Sequence, residues 1–469
     1  MRILSFFLYA FISFSSFSQT LTQKIQGAYD QFSKDAQLQY GLSSLTVLNA
    51  QTGEVIFSAN GNTGLPPAST LKTITSITAF NILGKDFAWQ TSLGYTGSIN
   101  TDGTLEGDII LTGNGDPTLG SARYSQSAPK QLLERWVKAI RQAGIKRING
   151  AVLSDDRLFG TQSLPLGWIW QDIGNYYGAG TSSLAWGENQ LGLIFKAGAK
   201  SGDLTKLVRT EPLIDYLKII NEVTTGAAGS GDNVYAFSSP YSDIIYLRGT
   251  YGIDLQKTIF ASLTDPAFEV AYRLEDTLKR AGVIVSKSAS TARRLSLDNQ
   301  PFPVKPKMID TYTSPDLGNV IYWFNQKSLN IYGEQMLKTI TLKQGKDINN
   351  SGAEAIKSFW VNKLSIDPNS LKMLDGSGLS PETRVTTLTM AKILQSAKKE
   401  SWFNSFYESL PLYNNMKMKS GSIREVLAYA GYQTSSSGVP LAFSFITSNY
   451  NGSTSAIRQK MFNMLNALK

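Results

Sequence analysis

The sequence predicts an α/β (α+β) fold in which a domain of antiparallel sheet flanked by helices is split by a large β-rich insertion. Strand and helix patterns occupy both ends of the chain, at 44–83 and again at 426–468. Between them, residues 86–304 are rich in Gly and aromatic side chains and contain few long periodic segments. The proline-rich segment 300–312 marks the expected return from the insertion.

The elements of the outer domain follow from local patterns. Residues 44–60 alternate apolar and polar side chains around Gln51-Thr52-Gly53, which predicts a β-hairpin. A helix is predicted to begin at Ser69 and to run to Leu83, where Gly84 ends it. Strands are predicted at 426–433 and 440–447, and further helices at 129–143, 267–280, 317–343, 352–364, 386–399 and 454–468.

The first residues are typical of a secretory signal peptide. Arg2 precedes an apolar run, and Ser16 and Ser18 place cleavage before Gln19. The run is too short to span a bilayer, so we expect a periplasmic protein with no integral membrane segment after signal removal. The predicted domains are therefore 1–18 (signal peptide), 19–85 with 305–469 (discontinuous catalytic domain) and 86–304 (insertion, as two smaller domains).

Composition removes several kinds of chemistry. The chain of 469 residues contains no histidine and no cysteine, so a Ser-His-Asp triad, a Cys-His dyad and disulfides are excluded. Zinc sites depend on these residues in nearly every case, and no cofactor is expected. The net charge of +9 is spread without a basic block, which disfavours nucleic acid as a partner. A nucleophilic serine here needs Lys, Asp, Glu or Tyr as its base.

Ser69 and Lys72 have the spacing that such a serine requires. A lysine at i+3 lies one helical turn on and reaches the serine Oγ, while the helix start favours negative charge at the serine amide. Burial near another cation lowers a lysine pKa enough to make it a base. Only this copy of S-x-x-K opens a mostly uncharged helix directly after a hairpin; the others are Ser127/Lys130 and Ser396/Lys399.

Two further motifs complete a candidate site. Ser328 and Asn330 lie between helical patterns, where a hydroxyl and an amide two residues apart can face one cleft. Lys419, Ser420 and Gly421 open an alternating strand, and the Ser422 amide is a candidate oxyanion donor. Weaker copies exist: S-x-N recurs at Ser58 and Ser98, and Lys-Ser-Gly recurs at Lys200-Ser201-Gly202.

In order and type, the three motifs resemble those of the penicillin-binding proteins and serine β-lactamases. Roughly 255 residues separate the first two motifs, far more than in the β-lactamases. This long insertion resembles the class C low-molecular-mass penicillin-binding proteins, the D-alanyl-D-alanine carboxypeptidase/endopeptidase family. Further stretches that look like that family are GNGDPTL at 113–119, YYGAGTSSLAWGEN at 176–189 and DGSGLS at 375–380.

The resemblance implies a penicillin-binding/β-lactamase-like fold and a role for each motif residue. Ser69 would be acylated with Lys72 as its base, Ser328 would relay a proton, and Asn330 would bind a substrate carbonyl. Lys419 and Ser420 would bind the carboxylate of a D-Ala-D-Ala stem, with Gly421 admitting its backbone; Ser420 is commonly Thr in this family.

The resemblance also points to residues outside the three motifs. Asp375 and Ser377 would lie near the cleft, although a glycine-bearing turn explains them equally well. Asp155 and Asp156 would contact the stem peptide, although solvated surface aspartates are the default explanation.

The implied function is a serine D-Ala-D-Ala carboxypeptidase and/or D,D-endopeptidase. It would act on peptidoglycan stem peptides through an acyl-enzyme and be acylated by β-lactam antibiotics. The alternatives are a serine β-lactamase, which requires fast deacylation, and a non-catalytic cell-wall-binding homologue.

Overall fold

The computed structural model describes residues 20–348 and 352–469. The predicted signal peptide, residues 1–18, lies outside the described residues. Within the two described ranges, no helix combines the length and the apolar character needed to cross a membrane.

A main sheet organises the outer domain. Its neighbouring strands are all antiparallel, so every connection within it is a hairpin or a long excursion. The predicted hairpin and both predicted C-terminal strands are confirmed. In the described part of the chain the sheet has six strands, in the order Val55–Ala59, Leu42–Asn49, Pro440–Ser448, Val426–Thr434, Met416–Ile423 and Leu412–Tyr413.

Helices cover both faces of the main sheet, as an α+β sandwich requires. One face packs against the first and last helices, Leu21–Ser33 and Thr454–Leu465, through side chains such as Phe32, Phe445 and Met461. The other face carries a larger core, built from Leu71–Leu83, Leu317–Lys327, Asn330–Lys343, Ala353–Leu364, Thr387–Ala397 and Phe403–Ser409. The helical segment 317–343 is divided into two helices at Ser328, which lies between helical patterns as predicted and has a left-handed backbone (φ 56°).

The insertion contains two cores of its own. In the first, helices Pro129–Gln142 and Pro266–Arg280 pack on a mixed sheet with the order Ser290–Thr291, Val152–Asp155, Ile109–Gly113, Gln90–Tyr95 and Lys307–Thr313. The second core lies between two smaller sheets, which comprise Lys206–Glu211, Gln190–Lys196 and Ile259–Ser262, and Lys218–Asn221, Thr224–Gly226, Asp232–Phe237 and Ile244–Gly252. Strand Lys307–Thr313 is hydrogen-bonded to Gln90–Tyr95, so the chain leaves this sheet after Thr313.

Short elements complete the described fold. Two are helices, Trp170–Ile173 and Ala292–Leu297. The remaining strands form two small sheets, Leu371–Lys372, Arg384–Thr386 and Gly64–Leu65, and Ile284–Val285, Arg147–Ile148, Thr104–Glu106 and Ser98–Ile99.

Candidate active site

Ser69 lies in a single 3₁₀ turn, Ala68–Thr70, that leads directly into helix Leu71–Leu83. The residue before it, Ala68, has a left-handed backbone (φ 45°), a strained conformation that clusters at functional sites. Strand Met416–Ile423 packs against this turn, and a Cβ on Gly421 would lie 2.7 Å from the Ser69 amide nitrogen. The glycine therefore allows the strand to approach the serine.

Lys72 is fully buried and contacts three oxygen atoms. Its Nζ lies 2.8 Å from Ser69 Oγ, 2.7 Å from Asn330 Oδ1 and 2.8 Å from the carbonyl oxygen of Ser377. The Asn330 amide is oriented by its own Nδ2, which donates to the carbonyl of Tyr177 at 2.8 Å. Two of these three oxygen atoms, Asn330 Oδ1 and the Ser377 carbonyl oxygen, can accept a hydrogen bond but cannot donate one.

This donor count fixes what a neutral Lys72 can do. An uncharged amine has two N–H groups and one lone pair, and Asn330 Oδ1 and the Ser377 carbonyl take both N–H groups. The lone pair then faces the Ser69 hydroxyl, which is the geometry of a general base.

The electrostatic environment favours the neutral amine. Burial, together with the nearby Lys419 ammonium, holds the pKa of Lys72 well below its usual range, against the opposing charges of Asp375 and Glu334. Burial lowers the pKa of Lys419 to about 7. The site thus holds two buried lysines that titrate well below a solvated lysine.

A cavity of about 510 Å³ opens over Ser69. Ser328, Asn330 and Ser422 line it from the outer domain. The opposite wall comes from the insertion and includes Ile169, Asp172, Tyr176, Tyr177 and Tyr235. Burial raises the pKa of Asp172, whose Oδ1 accepts from the Tyr177 hydroxyl at 3.4 Å.

Lys419 and Ser420 lie on strand Met416–Ile423, which packs against the turn that holds Ser69. The Lys419 side chain is buried, and its Nζ donates to the Ser420 carbonyl at 2.8 Å, while Ser420 itself is half-buried. The structure therefore brings the three predicted motifs together around one cavity. The weaker copy Lys200-Ser201-Gly202 lies elsewhere, in a turn of the insertion beside Thr225.

Asp375 and Ser377 belong to the same neighbourhood. Asp375 is buried and accepts from Trp168 Nε1 at 3.1 Å, from the Ser380 amide at 2.9 Å and from Thr383 Oγ1 at 3.0 Å. Ser377 contributes the carbonyl that contacts Lys72. These residues thus combine a glycine-bearing turn with direct contact to the site.

Asp155 and Asp156 lie away from this cavity. Asp156 Oδ1 accepts from the Arg293 amide at 3.0 Å and lines a separate cavity with Tyr241 and Asp265; burial raises its pKa. Asp155 forms an ion pair with Arg157 at 2.8 Å.

Sequence reasoning missed Trp168, Asp172, Tyr177 and Glu334. Glu334 is buried on helix Asn330–Lys343, and both of its carboxylate oxygens accept from the Gly376 amide, at 3.1 and 2.9 Å. Its position one turn after Asn330 was a usable signal, because residues at i and i+4 share a helix face. Tyr177 lies in the stretch 176–189 that resembles the family, whereas Trp168 and Asp172 carry no comparable signal and reach the site through tertiary packing.

Comparison with known proteins shows the family to which the chain belongs. The chain matches the D-Ala-D-Ala carboxypeptidase 3 (S13) family over residues 25–468. The chain belongs to this family. Membership confirms the predicted recognition and the predicted class of enzyme, a serine-type D-Ala-D-Ala carboxypeptidase.

Individual relatives agree with the match. A D-alanyl-D-alanine carboxypeptidase of Actinomadura sp. (strain R39) is 26% identical over 455 residues, covering 90% of this chain and 80% of the relative. The D-alanyl-D-alanine carboxypeptidase DacB of Haemophilus influenzae is 23% identical over 432 residues, covering 86% and 84%. The crystal structure of penicillin binding protein 4 (dacB) from Haemophilus influenzae superimposes with a TM-score of 0.77 at 20% identity, covering 94% and 98%. The predicted fold is thereby confirmed.

Proposed function

We propose that the chain cleaves the terminal D-Ala-D-Ala bond of peptidoglycan stem peptides through an acyl-enzyme on Ser69, with Lys72 as the general base. The observation that carries this proposal is the buried Lys72 amine, 2.8 Å from Ser69 Oγ, whose two other contacts are carbonyl oxygens. In a chain without histidine, this lysine is the base that the geometry offers.

Acylation follows from these contacts. Ser69 Oγ attacks the carbonyl carbon between the two D-alanines, and its proton passes to Lys72 Nζ. The developing oxyanion is held by the amide N–H groups of Ser69 and Ser422. The C–N bond then breaks, and the leaving D-alanine amine takes the proton from Lys72 through the Ser328 hydroxyl.

Deacylation reverses these roles with water. Lys72 takes a proton from the water molecule, whose oxygen adds to the ester carbon. The ester C–O bond breaks, Ser69 regains a proton, and the shortened stem leaves with a new carboxylate. A β-lactam would acylate Ser69 by the same first step, with its ring C–N bond as the bond that breaks.

Lys419 and Ser420 are proposed to bind the terminal carboxylate of the stem peptide. With a pKa of about 7, Lys419 is part neutral at neutral pH in the free protein. A carboxylate favours the ammonium form, so binding should raise this pKa and take up a proton.

D,D-endopeptidase cleavage is the second candidate, because it uses the same acyl donor and differs only in the leaving amine. The insertion favours it, since its residues Asp172, Tyr176 and Tyr235 wall the cavity over Ser69 and extend the surface available to a branched substrate. A crosslinked dimer of stem peptides as substrate, beside a linear pentapeptide, separates the two activities.

We further propose that the chain acts in the periplasm after export by the segment 1–18. Arg2, the apolar run after it and the small residues Ser16 and Ser18 support this location. The N-terminal sequence of the protein recovered from the periplasm tests it; a chain that still begins at Met1 would contradict it.

Intact mass spectrometry with benzylpenicillin over time tests the acyl-enzyme. The wild type is expected to gain a long-lived adduct and to release D-alanine from a pentapeptide, whereas Ser69→Ala should do neither. Ser127→Ala, at the matching serine of a second S-x-x-K copy, should behave as wild type. A transient adduct with rapid loss of drug would favour β-lactamase activity. No adduct on the wild type would overturn the proposal in favour of a binding role.

A further inference from the structure

Glu334 is a buried acid beside the site that the mechanism above does not use. It is 1% exposed and projects from helix Asn330–Lys343 one turn after Asn330. Both carboxylate oxygens accept from the amide of Gly376, at 3.1 and 2.9 Å. Acidic side chains are rarely fully buried, because removing their charge from water is costly, so a buried one indicates a specific role.

The Gly376 amide belongs to the turn that positions Lys72. The carbonyl of the next residue, Ser377, accepts from Lys72 Nζ at 2.8 Å, and the Gly376 carbonyl accepts from Thr75 Oγ1 at 2.6 Å. The turn is thus held between helix Leu71–Leu83 and Glu334. Moving the turn would move one of the two carbonyls that orient the lysine.

Two glycines allow this close approach. A Cβ on Gly376 would lie 2.6 Å from the Gly333 carbonyl oxygen, and a Cβ on Gly333 would lie 3.1 Å from the Gly376 carbonyl oxygen. The turn and the helix therefore meet backbone to backbone, and this contact brings the Gly376 amide onto the Glu334 carboxyl.

We propose that Glu334 is a positioning residue for Lys72, which holds the turn that orients the lysine and balances the charge that the lysine gains when it takes the serine proton. This inference rests on the proposed function of Ser69 and Lys72. It goes beyond that function by assigning the control of the base to a residue outside the three motifs.

The charges around the pair support the second part. Asp375, Lys72 and Lys338 face Glu334, and Lys419 faces Lys72 from the strand side. Burial and the neighbouring Asp375 carboxylate raise the pKa of Glu334 to about 8, while Lys72 opposes this rise. The charge on each of Glu334 and Lys72 therefore affects the pKa of the other.

The sign of the coupling follows directly. A negative charge on Glu334 favours the ammonium form of Lys72, so it strengthens the base and raises the pH at which the neutral amine appears. Because the pKa of Glu334 is about 8, this charge is present only on the alkaline side of the profile, so removing it should weaken the base there and leave the rates at low pH unchanged.

The test is the second-order rate constant of acylation by a chromogenic β-lactam between pH 5.5 and 9.5. Glu334→Gln keeps an oxygen that can accept from the Gly376 amide and removes the charge. We expect its rates to match those of the wild type below about pH 7, where Glu334 is protonated, and its plateau above pH 8 to fall about three- to tenfold. Glu334→Ala also frees the turn and should lose about 100-fold.

Glu269→Gln is the matched control, since Glu269 is a fully buried acid of the insertion, bonded to Tyr216 and Arg273. It should leave the acylation profile unchanged, and the Tm of each variant reports any folding cost. A Glu334→Gln profile identical to that of the wild type, in limb and plateau, would overturn the inference, even if Glu334→Ala were inactive. Failure of the wild type to acylate would instead reject the proposed function.

A second measurement decides the matter if Glu334→Gln does not fold. In wild-type protein with ¹³C-labelled glutamate carboxyls, one resonance should titrate near pH 8 and move when benzylpenicillin acylates Ser69. Glutamate resonances that all titrate below pH 6 would contradict the inference.

Discussion

The helices Leu71–Leu83 and Pro129–Gln142 both follow an S-x-x-K pattern, yet their lysines occupy opposite environments. Lys72 is 0% exposed and contacts Ser69, whereas the side chain of Lys130 is 79% exposed and lies 3.9 Å from Glu134. A solvated lysine remains an ammonium at neutral pH and cannot accept a proton. The same spacing therefore occurs in both places, and burial is what gives Lys72 alone of the two the lowered pKa that a general base requires.

Replacing each of the two lysines in turn is the test with the largest expected effect. Lys72→Met should lower acylation by β-lactams about 1,000-fold, because a positioned general base contributes factors of this order. Lys130→Met should leave acylation unchanged. Stopped-flow acylation rates measure both; a Lys72→Met variant that acylates at the wild-type rate would show that another group takes the serine proton.

Backbone approach provides a second contrast. Gly421→Ala should lower acylation about 100-fold, because its Cβ would meet the amide nitrogens of Ser69 at 2.7 Å and Thr70 at 2.8 Å and would displace the nucleophile. Gly27→Ala has open space in helix Leu21–Ser33 and should instead stabilise the protein by about 0.5–1 kcal/mol. Acylation rates and thermal unfolding report the two outcomes, and equal acylation by both variants would refute the contrast.

The smallest expected effect concerns Lys419, which together with Lys72 is one of the two buried site lysines whose pKa is lowered. Its charged form is lost above its pKa of about 7, so KM for a substrate with a free terminal carboxylate should rise about tenfold between pH 7 and 8.5. An analogue that ends in an amide should show no such rise. Steady-state kinetics on both substrates provide the check, and a pH-independent KM for the free acid would separate Lys419 from carboxylate binding.

Much of the outer domain could be predicted because its turns and helix ends are specified by local sequence patterns. The hairpin turn at Gln51-Thr52-Gly53 and the helix stop at Gly84 were predicted correctly from the residues themselves. The break between the two helical patterns at Ser328 was expected, but its left-handed backbone (φ 56°) was not, since serine does not by itself favour that conformation. That break is what turns Ser328 toward the cavity over Ser69.

Site residues that belong to a sequence motif could be predicted, whereas those outside the motifs could not. Ser377 contacts Lys72 through its backbone carbonyl, so its side chain carries no signal of that contact. Glu334 and Trp168 reach Gly376 and Asp375 from distant segments of the chain. Such contacts depend on how elements pack, which no local pattern records.

By itself, the sequence determined the chemistry that was possible. The absence of histidine and cysteine limited the base of a serine nucleophile to a few residue types, and three short motifs named the candidates. The sequence context already favoured Lys72 over the other copies, and the tertiary structure added the burial that lowers its pKa. Folding buries Lys72, assigns both of its N–H groups to carbonyl oxygens and leaves Lys130 in water. The reason is physical: a lysine pKa is set by desolvation and by neighbouring charges, and both come from segments far apart in the chain.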